Sequence, residues 1–387
     1  MITNLFYSPR QLIVGDAQLV GVLDIPGTHS DRPPIRLYFP ATTVDETINT
    51  NKKLKQARYF VDNRAAYILQ GFVHIAFARH TTKLHRFILR PLLWLLSFIF
   101  PPRWLKIPDT VLVRNIDDLE AVKYATPKSL DKQYQNLVIF SHGLTGTGEE
   151  NTVLCTSLAK RGYVVCSIHH RDGSSSRVPL SDGSCLFYQH FPTGEDYDPK
   201  HRLEQVNVRA QEFLYSTAFM MGEEDADDHG LTDYAQSILN QIRPHLRSDH
   251  VVGAGFSYGA ATTSLAATLK PQQFKCAILL DPWLHIDYSS KGYEFDFPPE
   301  SFGNAWPQTK DDDSKGVDTP KKDGLNVPTI IINSAQFAGY TKLHGATTRL
   351  AKQINDRNTE DSAEMHIIPD STHQNFVGKY YTLLVHV

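Results

Sequence analysis

One five-residue stretch limits the fold of this chain more than any other feature. Residues 255–259 read G-F-S-Y-G and fit the pattern G-x-S-x-G, in which a sharp strand-to-helix turn raises a serine hydroxyl above a sheet. The flanking sequence agrees with such a turn: residues 251–254 are typical of a short buried strand, and residues 260–269 are rich in small residues and compatible with a helix. The pattern therefore predicts a strand, a turn that carries Ser257 and a helix, in this order.

Strands and helices alternate along the rest of the chain. Short apolar runs typical of buried strands lie at residues 137–140, 163–168, 277–280 and 329–332, and apolar residues at helical spacing recur between several of them. This alternation predicts an α/β fold with a mostly parallel central sheet flanked by helices. Residues 1–387 are expected to form a single domain, in which the polar stretch 286–326 is a solvated insertion loop.

Composition excludes several classes of function. The net charge of −3 gives no reason to expect a nucleic-acid partner. The four cysteines show no C-x-x-C spacing, and the adjacent aspartates at 311–313 cannot all face one ion, so we expect neither a metal nor a cofactor. No basic region precedes an apolar run at the start, as it would in a signal peptide, which favours a cytoplasmic protein.

The segment 67–106 is both apolar and basic. It is too short and too often interrupted by proline to span a bilayer, which takes about 20 apolar residues. Two interpretations stay open: a helical hairpin packed on the core, or a lid that docks on a lipid surface. In the second case the docking residues are expected to be Leu92, Leu93, Trp94, Leu95, Leu96 and Phe98.

A serine hydroxyl needs a base within hydrogen-bond reach, and the base needs an orienting acid. In folds with this elbow, the acid and then the histidine follow the serine along the chain. The histidines beyond Ser257 are His285, His344, His366, His373 and His386. We predict His373 as the base, because it lies in a polar loop after the last apolar run, where this fold delivers the imidazole.

The acid is predicted from the two strand ends that follow the elbow. Asp281 comes directly after the run 277–280, whereas the run 329–332 is followed by Asn-Ser-Ala and no carboxylate. Asp281 is therefore the predicted acid. Asp287 and Asp370 remain as alternatives.

Acyl transfer also needs hydrogen-bond donors for the tetrahedral oxyanion. One is expected to be the backbone N–H of Tyr258, the residue after the nucleophile, and the other a backbone N–H in the loop 141–145. Leu144 N–H is the predicted second donor, because Gly143 lets that backbone approach closely. His142 is expected to shape the loop.

Several stretches together resemble the plasma and intracellular type II platelet-activating factor acetylhydrolases, a branch of the α/β hydrolases. These stretches are residues 138–144, 169–172, 255–259, 280–281 with Trp283, 332–334 with Phe337, and 373–376. The resemblance implies an α/β-hydrolase fold and calcium-independent removal of a short or oxidised sn-2 acyl group, such as acetyl, from a platelet-activating-factor-like glycerophospholipid. It assigns the triad to Ser257, Asp281 and His373, and the oxyanion donors to Leu144 and Tyr258.

The resemblance also implies a phospholipid substrate and peripheral contact with a lipid surface, made by apolar helices before the strand 137–140. The sequence departs from the family at Phe256, where the family often has histidine, and at Ala260, where it often has glycine. Two alternatives stay open: a general short-chain carboxylesterase, and a non-catalytic lipid-binding protein with a hydrolase fold.

Overall fold

The computed structural model describes residues 19–27, 32–43, 56–61, 68, 70–71, 75, 95, 106–107, 110–113, 122–124, 135–189, 199–223, 230–288, 293–297, 324–357 and 362–377. The strands are β1 (Leu19–Ile25), β2 (Ile35–Thr43), β3 (Thr110–Val113), β4 (Val122–Tyr124), β5 (Gln135–Ser141), β6 (Val164–Ile168), β7 (Arg177–Pro179), β8 (Cys185–Phe187), β9 (Leu246–Phe256), β10 (Cys276–Leu280), β11 (His285–Tyr288), β12 (Tyr293–Asp296), β13 (Thr329–Ser334) and β14 (Ala363–Ile368). The α-helices are α1 (Thr152–Lys160), α2 (Pro199–Met221), α3 (Asp233–Ile242), α4 (Tyr258–Leu269), α5 (Ala335–Ala338) and α6 (Thr341–Arg357), and 3-10 helices cover Arg243–His245, Pro271–Gln273 and His373–Phe376.

Ten of the described strands form one sheet. Nine follow one another in the order β14-β13-β10-β9-β5-β6-β2-β1-β3, and β4 pairs with β2. The pairs from β14 to β6 are parallel, whereas β2 runs antiparallel to both β6 and β1. The prediction of a mostly parallel sheet flanked by helices is therefore confirmed.

Both faces of the sheet are covered. Successive side chains of a strand point to opposite faces, so in β5 Leu137 and Ile139 join one buried cluster while Val138 and Phe140 join the other. Helices α2, α3 and α4 contribute to the first cluster, and α1 contributes to the second. Burial on both faces explains why the parallel strands read as continuous apolar runs in the sequence.

Part of the stretch expected to be a loop is regular structure. Strands β11 and β12 lie within or overlap residues 286–326 and form an antiparallel hairpin, and Arg349 Nη2 on α6 donates to Asp296 Oδ1 at 2.8 Å. Residues 298–323 lie outside the described residues. Strand β9 spans Leu246–Phe256 and is therefore longer at both ends than the predicted run 251–254.

Little of the apolar and basic segment 67–106 falls within the described residues. Residues 68, 70, 71, 75 and 95 are helical, and Leu95 is 56% exposed. The other predicted docking residues, Leu92, Leu93, Trp94, Leu96 and Phe98, lie outside the described part of the chain, so the lid stays a prediction. None of the helices that the structure describes is long and apolar enough to cross a membrane.

Candidate active site

Ser257 occupies a sharp turn between β9 and α4, with a backbone φ of +54°. The two glycines of the pattern are required by close backbone contacts. A Cβ at Gly255 would lie 2.2 Å from Gly259 O, and a Cβ at Gly259 would lie 2.0 Å from Ser141 O. The chain therefore tolerates no side chain at position 255 or 259, two residues before and two after the serine, which is why the pattern carries structural information.

Replacing Gly259 by alanine should break the turn, because the atoms that its Cβ would meet belong to the backbone of Ser141 and His142 and cannot rotate away. We expect the free energy of unfolding to fall by about 1–3 kcal/mol or more, as overpacked sites do. Urea denaturation measures the change. Gly345→Ala in helix α6 is the matched control and should hold or raise stability, because there the nearest atom is the end of the Arg349 side chain.

Three residues that the sequence singles out lie in one hydrogen-bonded row. Ser257 Oγ is 3.1 Å from His373 Nε2, and His373 Nδ1 is 2.8 Å from Asp281 Oδ2. A carboxylate only accepts hydrogen bonds, so Nδ1 carries the imidazole proton and Nε2 is left to accept from the serine hydroxyl. This is the tautomer that a general base at Ser257 requires.

The Asp281 carboxylate is held by the neighbouring strand end. Asp281 is fully buried at the tip of β10, with φ at +42°. Its Oδ1 accepts from Ser334 N–H at 2.6 Å and its Oδ2 from Ser334 Oγ–H at 2.6 Å, while Ser334 Oγ accepts from Phe337 N–H at 3.1 Å. The end of β13 has no carboxylate of its own; instead, Ser334 at that strand end donates two hydrogen bonds to the carboxylate at the end of β10. Sequence analysis did not find this role for Ser334; the signal available was a polar pair directly after a buried strand.

The His373 ring is fixed by stacking and by its own loop. Its centroid is 4.6 Å from that of Phe256 and 6.1 Å from that of Phe337, which lies at an interplanar angle of 20°. His373 N–H donates to Gln336 Oε1 at 2.9 Å. The side chain remains 27% exposed, so the imidazole can be reached from solvent.

The remaining candidates take other positions. His285 Nδ1 lies 3.0 Å from Asp296 Oδ1, and the His366 ring contacts Glu364 at an exposed edge. Asp370 is exposed in a turn, Asp287 lies in β11, and His344 is on α6 beside Asn333. His386 lies outside the described residues.

The loop after β5 presents a backbone donor. His142 Nδ1 lies 2.7 Å from Gly143 O, and Gly146 N–H donates to the same oxygen at 3.2 Å. Because C=O and N–H point in opposite directions in a trans peptide, Leu144 N–H faces away from those groups. No acceptor is recorded for Leu144 N–H among residues that the structure describes. The neighbouring Gly143 packs against the Phe256 ring, next to the elbow.

The second predicted donor sits at a helix start. Tyr258 is the first residue of α4, and the first N–H groups of a helix point out of its N-terminus. Burial lowers the pKa of His142 well below its usual value, so the ring in the opposing loop is neutral. Only main-chain N–H groups are involved at both places, and the Leu144 side chain is 37% exposed.

A second hydrogen-bonded row, made of a serine, a histidine and a glutamate, starts at the last residue of β5, where this loop begins. Ser141 Oγ is 2.8 Å from His170 Nε2, and His170 Nδ1 is 2.9 Å from Glu212 Oε2. All three side chains are buried, and burial lowers the pKa of His170 well below its usual value. A substrate cannot reach this row, so it serves to hold the end of β5.

Ser257 lies in the lining of a pocket of about 500 Å³. Its lining combines aromatic rings with amide and hydroxyl groups and is made by Ser257, Trp283, Gln336, Phe337, Tyr340, Leu343, Thr372, His373 and Gln374. The described part of the chain contains no group of three His, Cys, Asp or Glu side chains placed to hold a metal ion.

Comparisons with known proteins show which families this chain resembles. The family model described as "Platelet-activating factor acetylhydrolase, isoform II" matches residues 118–290, and the "Prolyl oligopeptidase family" model matches residues 207–382. Platelet-activating factor acetylhydrolase of Bos taurus is 29% identical over 161 residues, and that of Canis lupus familiaris is 29% identical over 163 residues. A ferulic acid esterase from Streptomyces cinnamoneus has the same fold, with a TM-score of 0.53 and 13% identity over 95% of this chain and 78% of its own. The chain has the α/β-hydrolase fold and is similar in sequence to the platelet-activating factor acetylhydrolases.

The resemblance predicted from the sequence of this α/β-hydrolase is thus confirmed. The alignments with the Bos taurus and Canis lupus familiaris proteins each cover 38% of the chain and 35% of the relative, so the match spans about a third of the length of those proteins. The matched families consist of hydrolases, which supports the prediction that this protein is an ester hydrolase. At Phe256, where the chain departs from the family pattern, the ring lies against that of His373, tilted by 35°.

Proposed function

We propose that this α/β-hydrolase is a serine esterase that cleaves the sn-2 acyl ester of a glycerophospholipid. The observation that carries the proposal is the row from Ser257 through His373 to Asp281, open to a pocket at the serine. A nucleophile, a base and an orienting acid in hydrogen-bond contact are the arrangement that acyl transfer by serine requires.

In the proposed reaction, Ser257 Oγ attacks the ester carbonyl carbon while His373 Nε2 takes the hydroxyl proton. The electrons of the C=O bond move onto its oxygen, and Asp281 stabilises the imidazolium without taking the proton. When the C=O bond re-forms, the bond to the glycerol oxygen breaks and that oxygen takes the proton from His373. Water then repeats the sequence on the acyl-serine and releases the fatty acid.

Leu144 N–H and Tyr258 N–H are the proposed oxyanion donors. Two observations support this assignment. Leu144 N–H has no acceptor among the residues that the structure describes, and Tyr258 lies at the start of α4. Main-chain donors stabilise the charge that develops in the transition state, and one such donor contributes about 10²–10³-fold in kcat. Because these donors polarise the carbonyl, calcium independence is part of the proposal.

The proposed substrate carries a short or oxidised sn-2 chain, as in a platelet-activating-factor-like lipid with an acetyl group. The matched family supports this class, and the pocket beside Ser257 is large enough for a small acyl group. Peripheral contact with a lipid surface through residues 92–98, in a cytoplasmic protein, remains part of the proposal. The exposed Leu95 side chain supports that contact.

Turnover on glycerophosphocholines with sn-2 chains from acetyl to long saturated acyl tests the substrate. We expect kcat/KM to be highest for acetyl and to fall by at least about tenfold for long chains, because added methylenes must fit a pocket of fixed size. Chelating calcium should leave the rate unchanged. Fast turnover of soluble short esters, with none of any phospholipid, would instead identify a general carboxylesterase.

The same series, measured as monomers and as micelles, tests contact with a lipid surface. The Leu95→Ala variant should lose rate on micelles and keep its rate on monomeric substrate, because Leu95 is an exposed helical residue that is not part of the described lining of the Ser257 pocket. An equal rate of both proteins on micelles would remove Leu95 from the proposed contact.

A further inference from the structure

Two adjacent glutamates follow the loop that bears Leu144, and both are buried. Glu149 Oε1 accepts from Arg177 Nη2 at 2.7 Å and from Val61 N–H at 2.8 Å. Burial alone would raise the pKa of Glu149, but the charge of Arg177 opposes it and the pKa is lowered to about 2. Glu149 is therefore a charged group that ties residues 56–61 to the loop.

Glu150 has different surroundings. Its Oε2 accepts from Gly143 N–H at 2.9 Å, and its carboxyl lies where a Cβ at Gly146 would stand, at 2.1 Å. The loop therefore closes around this carboxyl group, and a side chain at position 146 would displace it. Burial raises the pKa of Glu150 to about 8, although the Gly143 N–H and Arg209 act against the shift.

Arg209 on α2 holds the other side of the same peptide. Its Nη2 donates to His142 O at 2.9 Å, while Glu150 receives the N–H of Gly143. Both polar groups of the His142–Gly143 peptide are thus fixed by buried side chains. A peptide with both groups held cannot flip. The next peptide, which carries Leu144 N–H, starts from this fixed plane and is held by the contacts of Gly143 O with His142 Nδ1 and Gly146 N–H.

Arg209 also contacts the elbow. Its guanidinium lies over the Tyr258 ring, with Cζ 4.8 Å from the ring centroid, and the side chain is fully buried. One arginine therefore touches both segments that bear the proposed oxyanion donors. A guanidinium stays charged in proteins, so this contact does not change over the working pH range.

We propose that Glu150, together with Arg209, is a positioning residue for the oxyanion loop, holding the His142–Gly143 peptide so that Leu144 N–H is directed at the reacting carbonyl. The inference rests on the proposed esterase function and extends it to residues that do not touch substrate. It concerns the peptide that precedes the donor, because Glu150 accepts from Gly143 and not from Leu144.

The charge state of Glu150 follows from the same position. A carboxylate beside the oxyanion loop would oppose the negative charge that develops on the substrate, whereas a neutral carboxyl still accepts from Gly143 N–H. The charged group that acts on it is Arg209 from α2, while Tyr59 reaches only its backbone oxygen, at 3.3 Å. The protonated form, present below about pH 8, is therefore the active one.

The test compares wild type, Glu150→Ala and Glu150→Gln on 4-nitrophenyl acetate, with Glu204→Gln on the exposed face of α2 as the matched control. Glu150→Ala should lower kcat by about 10–100-fold with little change in KM, because a shifted donor weakens the transition state and not substrate binding. Glu150→Gln keeps an oxygen acceptor for Gly143 N–H and should rescue most of that loss at neutral pH.

The pH profile gives a second readout that does not depend on the alanine variant folding. In wild type kcat should decline as Glu150 ionises above about pH 8, and Glu150→Gln should lack this decline. An unchanged kcat in folded Glu150→Ala, or the same alkaline decline in Glu150→Gln, would overturn the inference while leaving the esterase intact. A wild type that neither turns over the ester nor reacts with a fluorophosphonate at Ser257 would overturn both.

Discussion

Replacing Ser257 by alanine is expected to lower kcat on a short-chain ester by about 10⁶-fold, leaving only the rate that binding and the oxyanion donors give. Alanine meets the same backbone requirement as serine at a φ of +54°, so the elbow should persist. The nucleophilic oxygen that lies 3.1 Å from His373 Nε2 is then the only group removed. Steady-state kinetics and covalent labelling by a fluorophosphonate measure the loss.

The matched control is Ser248→Ala, at an exposed serine near the start of β9. This variant should keep wild-type turnover and labelling. If Ser257→Ala were folded, as judged by its circular dichroism and melting temperature, and still hydrolysed the ester at the wild-type rate, Ser257 would not be the nucleophile.

Replacing Asp281 by asparagine should lower kcat by about 10⁴-fold, the loss typical when a triad acid becomes an amide. Asparagine tolerates the positive φ of +42° at this position, so the turn is preserved. An amide offers one acceptor oxygen where the carboxylate receives donors from Ser334 and from His373. The amide N–H₂ group then faces His373 Nδ1 and favours the tautomer whose Nε2 cannot accept the serine proton.

Asp370→Asn is the matched control for this substitution. Asp370 also has a positive φ, at +52°, and was the alternative acid in the loop that precedes His373. We expect this variant to retain full turnover. A large loss in Asp370→Asn, together with an active Asp281→Asn enzyme, would move the role of the acid to Asp370.

Patterns of residues close together in the chain allowed much of this fold to be predicted. The runs at 137–140, 277–280 and 329–332 are strands of the sheet. Because both faces of the sheet are covered, these strands consist of uninterrupted apolar residues, which made them recognisable in the sequence. Asp281 could be nominated because strand ends meet at one edge of a parallel sheet and the end of β13 lacked a carboxylate. The structure places that residue beside His373.

Features that depend on partners distant in the chain were not predictable. Glu149 and Glu150 look alike in the sequence, yet Arg177 neighbours one and the Gly143 N–H neighbours the other. Their pKa values therefore shift in opposite directions. The donors from Ser334 to Asp281 likewise join residues 53 positions apart, and the polar pair after the run 329–332 did not by itself identify Asp281 as its partner.

The short stretch 334–337 braces the proposed acid and base together. Ser334 holds the Asp281 carboxylate, the Gln336 side chain receives the backbone N–H of His373, and Phe337 lies along the imidazole. Acid and base thus share one support, and the turn that carries the acid is also hydrogen-bonded to the elbow, because Ser257 N–H donates to Leu280 O at 2.8 Å and Trp283 N–H donates to Ser257 O at 3.1 Å. A change within residues 334–337 is therefore expected to displace the imidazole and the carboxylate together, while the backbone hydrogen bonds between the elbow and the acid's turn remain.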